Sequence, residues 1–206
     1  MTCILFIGLV YPLSSIGPRL DDRFSTSPKG LNGIAYLEEN PILVRYDNGV
    51  EVPPTLISIS DDLPMIQWLR ESIAGSPTIV EWTGDSYDWN SRISIHTGLP
   101  SVLGWSSHQR QQRLAYQNMI SQRKREVQDL YQIPDQNLAT SFLLAYNVKY
   151  IIVGSQERRF GTEVALSSFD THPGLHIVFE DALSKVYSVN HDALWVLTEE
   201  ESLASK

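Results

Sequence analysis

Cysteine is almost absent from this sequence. Of its 206 residues, only Cys3 carries a thiol. A single cysteine excludes an intrachain disulfide framework and a cysteine-based zinc site. It does not fix the redox compartment, because a chain of this length can bury enough apolar surface to fold without disulfides.

Basic residues are scarce as well. Lys and Arg number 16 against 24 Asp and Glu, which gives a formal net charge of −8. This balance argues against a general nucleic-acid or anionic-lipid surface. Hydrophobic residues at 42% and charged residues at 19% are typical of a globular protein rather than of a disordered chain or a membrane-embedded bundle. We therefore expect a folded domain that binds no nucleic acid.

The signatures of several enzyme classes are missing. The chain has no G-x-S-x-G, G-x-x-x-x-G-K-[ST], H-E-x-x-H or G-x-G-x-x-G motif, so a hydrolase, a P-loop NTPase, a zincin and a Rossmann dehydrogenase lack support. His172 and His176 are separated by Pro173 and Gly174, which prevents a shared helix face. We interpret them as a loop and a strand histidine, and we predict no metal and no cofactor.

No apolar run is long enough to cross a bilayer. Residues 3–13 are uncharged, but a helix over them would reach only about 17 Å of the roughly 30 Å hydrocarbon layer. Two interpretations stay open: a buried N-terminal element, and the outer end of a transmembrane helix covering residues 1–13. Pro12, Gly17 and Pro18 predict that any helix breaks here. Residues 14–40 then form a linker.

Residues 41–198 have the pattern of a soluble α/β domain. Strand and helix signals alternate through the middle, which favours a mixed, mostly parallel sheet flanked by helices and ending in a β-hairpin. An acidic tail, residues 199–206, should be solvated. The predicted elements are a hairpin over 42–52 that ends at Pro53, a helix starting near Asp61, strands over 78–82, 101–105 and 149–153, helices over 107–129 and 135–146, and a hairpin over 175–189.

Aromatic and polar residues concentrate between positions 87 and 113. Apolar ring faces can cover the C–H surfaces of a sugar, while Arg and Asp side chains hold hydroxyl or phosphate groups. In the alternative, Trp82, Trp89 and Trp105 pack in the core and Arg92 pairs with a carboxylate such as Asp85 or Asp88. The cluster follows predicted strands, where open α/β sheets bind ligands. The sequence therefore predicts a substrate-binding set without catalytic residues: Tyr87, Arg92, His96, Trp105, His108 and Arg113.

The same stretch resembles a known family. The string RISIHTGLPSVLGW, residues 92–105, followed by His108 and Arg113, is similar to the R-[IV]-S-x-x-T-G-L-P-T-V-L-G-W…H-E…W-R stretch of the YYY membrane proteins. These are multi-spanning proteins distantly like the GT-C lipid-linked glycosyltransferases. Shorter similarities are found at residues 22–24, 68–71, 129–131 and 148–158. The chain departs from the pattern at Ser106-Ser107, at Gln109, where the family has Glu, and at Gln112, where it has Trp.

The resemblance implies the soluble, extracytoplasmic domain of a polytopic, membrane-associated protein. Its partners would be a membrane portion in the same or a neighbouring chain and a lipid-linked sugar. GT-C enzymes place their catalytic acid between early transmembrane helices, so the resemblance implies an accessory or acceptor-binding domain without catalysis of its own. Two alternatives stay open, a purely structural or interaction module and a free-standing α/β enzyme.

Overall fold

The secondary structure consists of nine α-helices and six β-strands in the part of the chain that a computed structural model describes, residues 2–24, 33–38, 42–47, 50–84, 86 and 88–204. In chain order they are α1 (Thr2–Phe24), β1 (Ile42–Asp47), β2 (Val50–Ile57), α2 (Leu63–Ser72), β3 (Ile79–Val80), α3 (Arg92–Thr97), α4 (Ser106–Gln112), α5 (Gln117–Gln132), α6 (Gln136–Ala145), β4 (Tyr150–Val153), α7 (Ser155–Phe160), α8 (Glu163–Ser168), β5 (Leu175–Glu180), β6 (Lys185–Val189) and α9 (His191–Ala204).

Four strands form an open mixed sheet in the order β3-β4-β6-β5. β3 runs parallel to β4, and β6 runs antiparallel to both β4 and β5. The predicted α/β fold with a mixed sheet, flanking helices and a C-terminal hairpin is confirmed. The sheet is less parallel than expected, because β6 returns beside β4 from a tight hairpin rather than through a helical crossover.

Both faces of the sheet are covered. Alternate residues of β4 belong to different apolar clusters: Ile151 and Val153 lie on one face, and Ile152 lies on the other. This arrangement explains the continuous apolar sequence of the strand. The buried Tyr131 hydroxyl joins the parallel pair, since it lies 2.9 Å from the carbonyl oxygens of both Val80 and Ile152.

The predicted strand over 101–105 is wrong. Only an isolated bridge forms, in which Ile79 N donates to Pro100 O and Val102 N donates to Ile79 O. Beyond this point the Thr83 hydroxyl donates to the Gly104 carbonyl at 3.1 Å. That carbonyl is therefore bonded to a side chain and not to a neighbouring strand.

The single helix predicted over 107–129 is also wrong. It is divided into α4 and α5 by a short 3-10 turn, Leu114–Tyr116. Arg113, at φ −132° and ψ 59°, leaves the helical region without a glycine or proline to mark the break. The following helix is confirmed, and the Asp135 carboxylate caps it by accepting from the amides of Asn137 and Leu138.

The first hairpin is confirmed. β1 and β2 pair antiparallel, with a register irregularity between Val44 and Tyr46. Pro53 and Pro54 do not end the second strand, which continues to Ile57. Both prolines lie where the register between the strands is irregular, and a sheet tolerates proline at such a position because regular ladder bonds are interrupted there.

Helix α1 runs across the break predicted after residue 13. Pro12 and Pro18 lie inside it, and the hydroxyls of Ser14 and Ser15 donate to the carbonyls of Tyr11 and Pro12 one turn earlier. Serines expected to end the helix therefore bond within it. In the described ranges, no helix combines the length and apolar character needed to cross a membrane.

The acidic end of the chain is helical rather than an irregular tail. α9 continues through Ala204. Asn190 Oδ1 accepts from Ala193 N near its start, and the fully buried Leu194 anchors it to the core. Because Glu favours helices, the acidic residues extend this helix, and Glu199 is exposed on it.

Candidate functional site

Trp105, His108 and Arg113 lie on or beside helix α4. The rings of Trp105 and His108 meet edge to face with centroids 5.3 Å apart, and both side chains are half-buried. Trp105 Nε1 donates to the Asn90 carbonyl at 2.9 Å, which orients the indole. Arg113 is exposed where α4 ends. Trp105 and His108 thus form a half-buried pair at the start of α4, and Arg113 lies exposed at its other end; we call these three residues the α4 surface.

His96 lies at a different position, on helix α3. Its Nδ1 is 2.6 Å from the Arg92 carbonyl, and its Nε2 is 2.6 Å from the Tyr36 hydroxyl. The ring also contacts that of Trp89 at a centroid distance of 5.4 Å. Burial lowers the pKa of His96, so the neutral imidazole is the form that this packing accommodates.

Arg92 has no exposed surface. Its guanidinium is surrounded by three buried carboxylates: Nε lies 2.5 Å from Asp62 Oδ2, Nη2 lies 2.7 Å from Glu157 Oε2, and Nη1 lies 3.8 Å from Glu81 Oε2. We call these four residues the Arg92 cluster. Carboxylates of the protein itself therefore accept the hydrogen bonds of the guanidinium, and none of its surface is exposed to a substrate.

The carboxylates of the Arg92 cluster also accept hydrogen bonds from backbone amides. Glu81 accepts from the amides of Ile93 and Ser94 at the start of α3, both at 2.9 Å. Glu157 accepts from Trp82 N and Gly154 N. The lone pairs that the guanidinium leaves free are thus satisfied by N–H groups, as burial of a charged group requires.

Asp62 connects a further set of donors to the Arg92 cluster. It accepts from Trp89 Nε1 at 3.1 Å and from Ser155 N at 3.0 Å, and the Ser155 hydroxyl donates to it as well. Burial opposes its ionisation, but the charge and hydrogen bonds of Arg92 lower the pKa of Asp62 below its usual value. Asp62 is therefore the ionised partner of Arg92.

The Arg92 cluster is acidic overall, with three carboxyl groups around one guanidinium. Burial raises the pKa of Glu81 to about 7, although Arg92 and the two α3 amides act in the opposite direction. The neighbouring carboxylates raise the pKa of Arg92 despite its burial, so the guanidinium stays charged. Glu81 is the member that changes protonation near neutral pH.

The pH dependence of stability should therefore report on Glu81. Since its pKa rises from 4.5 to about 7 on folding, its contribution is complete below about pH 4.5 and is lost as pH rises through about 7. We expect the wild-type chain to lose stability relative to Glu81→Gln between pH 5 and 8, with a slope of at most about 1.4 kcal/mol per pH unit.

Urea unfolding at several pH values measures this difference. His96 and His172, whose pKa values are lowered by burial, give the opposite slope, but both proteins contain them and their contribution cancels. Glu199→Gln, at an exposed position of α9, is the control and should follow the wild-type curve. Parallel curves for wild type and Glu81→Gln would contradict the prediction.

The Arg92 cluster lies at the carboxyl ends of β3 and β4. Glu81 follows β3 directly, and Gly154 and Ser155 follow β4. Open α/β sheets bind ligands in the crevice at this edge. In this chain the crevice between the two parallel strands is filled by an internal ion-pair network.

The structure thus divides the six predicted residues. Trp105 and His108 are in contact and Arg113 lies at the other end of α4, whereas His96 and Arg92 belong to the packing around α3. Tyr87 lies outside the described residues, as does Asp85.

The alternative that the tryptophans pack in the core holds for Trp82 and Trp89, which are buried. Arg92 does pair with carboxylates, but they are Asp62, Glu81 and Glu157; the binding role of the six stays a prediction.

The two histidines near the C-terminal hairpin are confirmed as a loop and a strand residue. The buried His172 has its Nε2 3.1 Å from the Thr140 hydroxyl and accepts from Gly174 N at Nδ1, while His176 is exposed on β5. Across the described ranges, no group of three or more His, Cys, Asp or Glu side chains is placed to hold a metal ion.

No protein-family model matches the chain, and no curated protein matches it. Among solved structures, it is similar to the C-terminal globular domain of an oligosaccharyltransferase from Archaeoglobus fulgidus. The TM-score is 0.42 and the sequence identity is 9%, over 63% of this chain and 96% of that domain. Membership of the YYY family stays a prediction that rests mainly on residues 92–113, with the shorter similarities elsewhere in the chain.

Proposed function

We propose that this chain is an accessory domain of a membrane glycosyltransferase-like protein, held at the extracytoplasmic membrane surface and without catalysis of its own. The YYY-like segment supports the family, and the exposed apolar residues of α1 support the attachment. The latter observation carries the proposal, because a soluble protein seldom exposes a contiguous set of large apolar side chains that has no partner.

Among the side chains of α1 that the structure describes, those of residues 8–19, five large apolar ones are exposed, over little more than two helical turns. Elsewhere in the described chain three such residues, Leu114, Tyr116 and Met119, are close in sequence, and the others occur singly or in pairs along a segment. A helix of this kind can lie in a membrane interface with its apolar side chains in the acyl boundary, or bind a membrane-embedded partner. The five residues are Leu9, Val10, Tyr11, Leu13 and Ile16.

Vesicle flotation tests this attachment. We expect the full chain to float with phosphatidylcholine vesicles, since apolar insertion needs no anionic lipid. The double variant Leu13→Glu/Ile16→Glu should bind at least about tenfold more weakly, because each side chain removed from water is worth roughly 1.5–3 kcal/mol.

A matched control uses equally exposed apolar residues elsewhere. Leu13 and Ile16 are 68% and 53% exposed, and Val164 on α8 and Val196 on α9 are 66% and 54% exposed. Val164→Glu/Val196→Glu should float like the wild type. Attachment through α1 is refuted if the wild-type chain stays in the lipid-free fraction, or if the control pair weakens binding as strongly.

The α4 surface supports a recognition role within this proposal. On the same helix and the turn that follows it, Ser107, Arg110, Gln111, Leu114 and Gln117 line an open groove of about 400 Å³. Arg110 and the two glutamines supply donors for phosphate or hydroxyl oxygens, and the Trp105 ring supplies an apolar face. A lipid-linked sugar combines these two chemistries, and it is the ligand that we propose for this surface.

A specific observation favours the structural alternative for part of the motif. Arg92, the first residue of the YYY-like segment, is fully enclosed by the protein's own carboxylates. This part of the segment therefore acts in folding, whereas its end at Trp105 and His108 reaches the surface. A purely structural module would use both parts for packing and would leave the α4 surface without a ligand.

A further inference from the structure

A second cavity lies on the other side of β4 from the Arg92 cluster. It has a volume of about 360 Å³, which is within the range of small-molecule sites, roughly 300–1,000 Å³. Val153 at the end of β4 and Tyr187 on β6 form a buried floor, with Leu166 half-buried beside them. The rim is polar and consists of Arg158, Glu163, Ser167, Asp170 and Lys185.

We call this cavity the β4 pocket. Hydrogen bonds fix the position of several of its rim residues. Lys185 Nζ lies 2.9 Å from Asp170 Oδ1 and 3.3 Å from Glu180 Oε1. The Tyr187 hydroxyl donates to the same Asp170 oxygen at 2.8 Å. Arg158 Nε donates to the Leu183 carbonyl at 2.6 Å, which holds the guanidinium at the entrance. Donors and acceptors therefore stand at set positions around an apolar floor.

The charges of the β4 pocket balance one another. Arg158 and Lys185 oppose Glu163 and Asp170, and Lys185 is already paired with two carboxylates. An anion would meet the acids and a cation would meet the bases, so a ligand with net charge gains little. Hydroxyl groups are suited to such a rim, because each can donate to a carboxylate and accept from a guanidinium or ammonium N–H.

We propose that the β4 pocket binds a neutral monosaccharide unit. One C–H face of the sugar would lie against Leu166, the half-buried apolar residue of the pocket, and its hydroxyls would bond to Asp170, Glu163 and Arg158. The pocket lies at the carboxyl end of β4, beside the start of the antiparallel strand β6. This site is separate from the α4 surface and does not depend on membrane attachment.

An amide-resolved NMR titration tests the β4 pocket. The full chain is titrated to tens of millimolar with glucose, galactose, mannose and N-acetylglucosamine, each in turn. We expect at least one sugar to cause saturable shifts at Leu166, Ser167, Asp170 and Tyr187. Arg158→Ala and Glu163→Gln should each weaken that binding at least about tenfold, since each removes a charge-assisted hydrogen bond.

Two substitutions of exposed residues that do not line the pocket serve as matched controls. Arg159→Ala removes an exposed arginine next in sequence, and Glu199→Gln neutralises an exposed acid of α9; neither should change the affinity. The proposal is overturned if none of the four sugars causes saturable shifts, or if inorganic phosphate shifts the same amides at lower concentration than any sugar. It is also overturned if His108→Ala abolishes the response while Arg158→Ala does not, because the sugar then binds at the α4 surface.

Discussion

Arg92→Met should lower the free energy of unfolding by roughly 3–5 kcal/mol at neutral pH. Methionine fills most of the volume but leaves three carboxyl groups buried around an uncharged side chain. Removing one member of a buried ion pair costs more than the pair contributes, because the remaining charges keep their desolvation penalty. Here three acids, Asp62, Glu81 and Glu157, depend on one guanidinium.

The pH dependence of Arg92→Met separates lost charge from lost packing. Without Arg92, the pKa values of the buried carboxyls should rise, so the variant regains stability as pH falls and the acids protonate. A packing defect would give the same deficit at every pH. We therefore expect the difference between variant and wild type to be larger at pH 8 than at pH 5, as measured by urea unfolding.

Arg125→Met provides the control for this experiment. Arg125 is exposed on α5, so its replacement should change the free energy of unfolding by no more than about 0.5 kcal/mol. An Arg92→Met chain that unfolds at the wild-type urea concentration would show that the Arg92 cluster does not stabilise the fold.

Local signals were sufficient for many of the elements. Asp135 predicted the start of α6, and its carboxylate does cap that helix. The apolar run of β4 predicted a strand, and its residues are divided between the two clusters that cover the faces of the sheet. A cap or a strand pattern operates within a few residues, so sequence reasoning can detect it.

The partners of Arg92 could not be predicted by the same reasoning. Asp62 lies 30 residues before it and Glu157 lies 65 residues after it, so only the tertiary fold brings them together. The sequence around Glu81 does indicate that this residue needs a buried partner. It is a carboxylate at the end of the apolar run 78–82, where burial requires a cation or N–H donors. That requirement pointed to a buried basic residue.

The cavity at the end of β4 also escaped detection. Its rim comes from α7, α8, the 3-10 turn Phe169–Thr171 and β6, and none of these segments carries a recognisable motif. The α4 surface was found because its aromatic residues are close in sequence. A rim assembled from one or two residues of each of four elements leaves no such pattern.

Gly154→Ala is the second substitution that we expect to have a large effect, because it forces a methyl group into the Arg92 cluster. A Cβ at this position would lie 2.4 Å from Asp62 Oδ1, 2.7 Å from Arg92 Nη2 and 2.8 Å from Met65 Cε. At φ −133° the backbone of Gly154 is extended, a conformation that any residue can adopt. Glycine is therefore required only because there is no room for a Cβ. Both charged groups are fixed by other bonds, and we expect a loss of about 1–3 kcal/mol.

Gly104→Ala is the matched control, since its Cβ would find its nearest neighbours at 3.5 Å and 3.6 Å, an ordinary contact distance. Urea unfolding should show a much smaller change for this variant, and equal losses for the two alanines would contradict the steric explanation.

A double-mutant cycle gives a further check. In an Arg92→Met background one of the clashing atoms is gone, so Gly154→Ala should cost less than in the wild type, whereas independent effects would add. The size of that coupling measures how tightly Gly154 and Arg92 are packed at the end of β4.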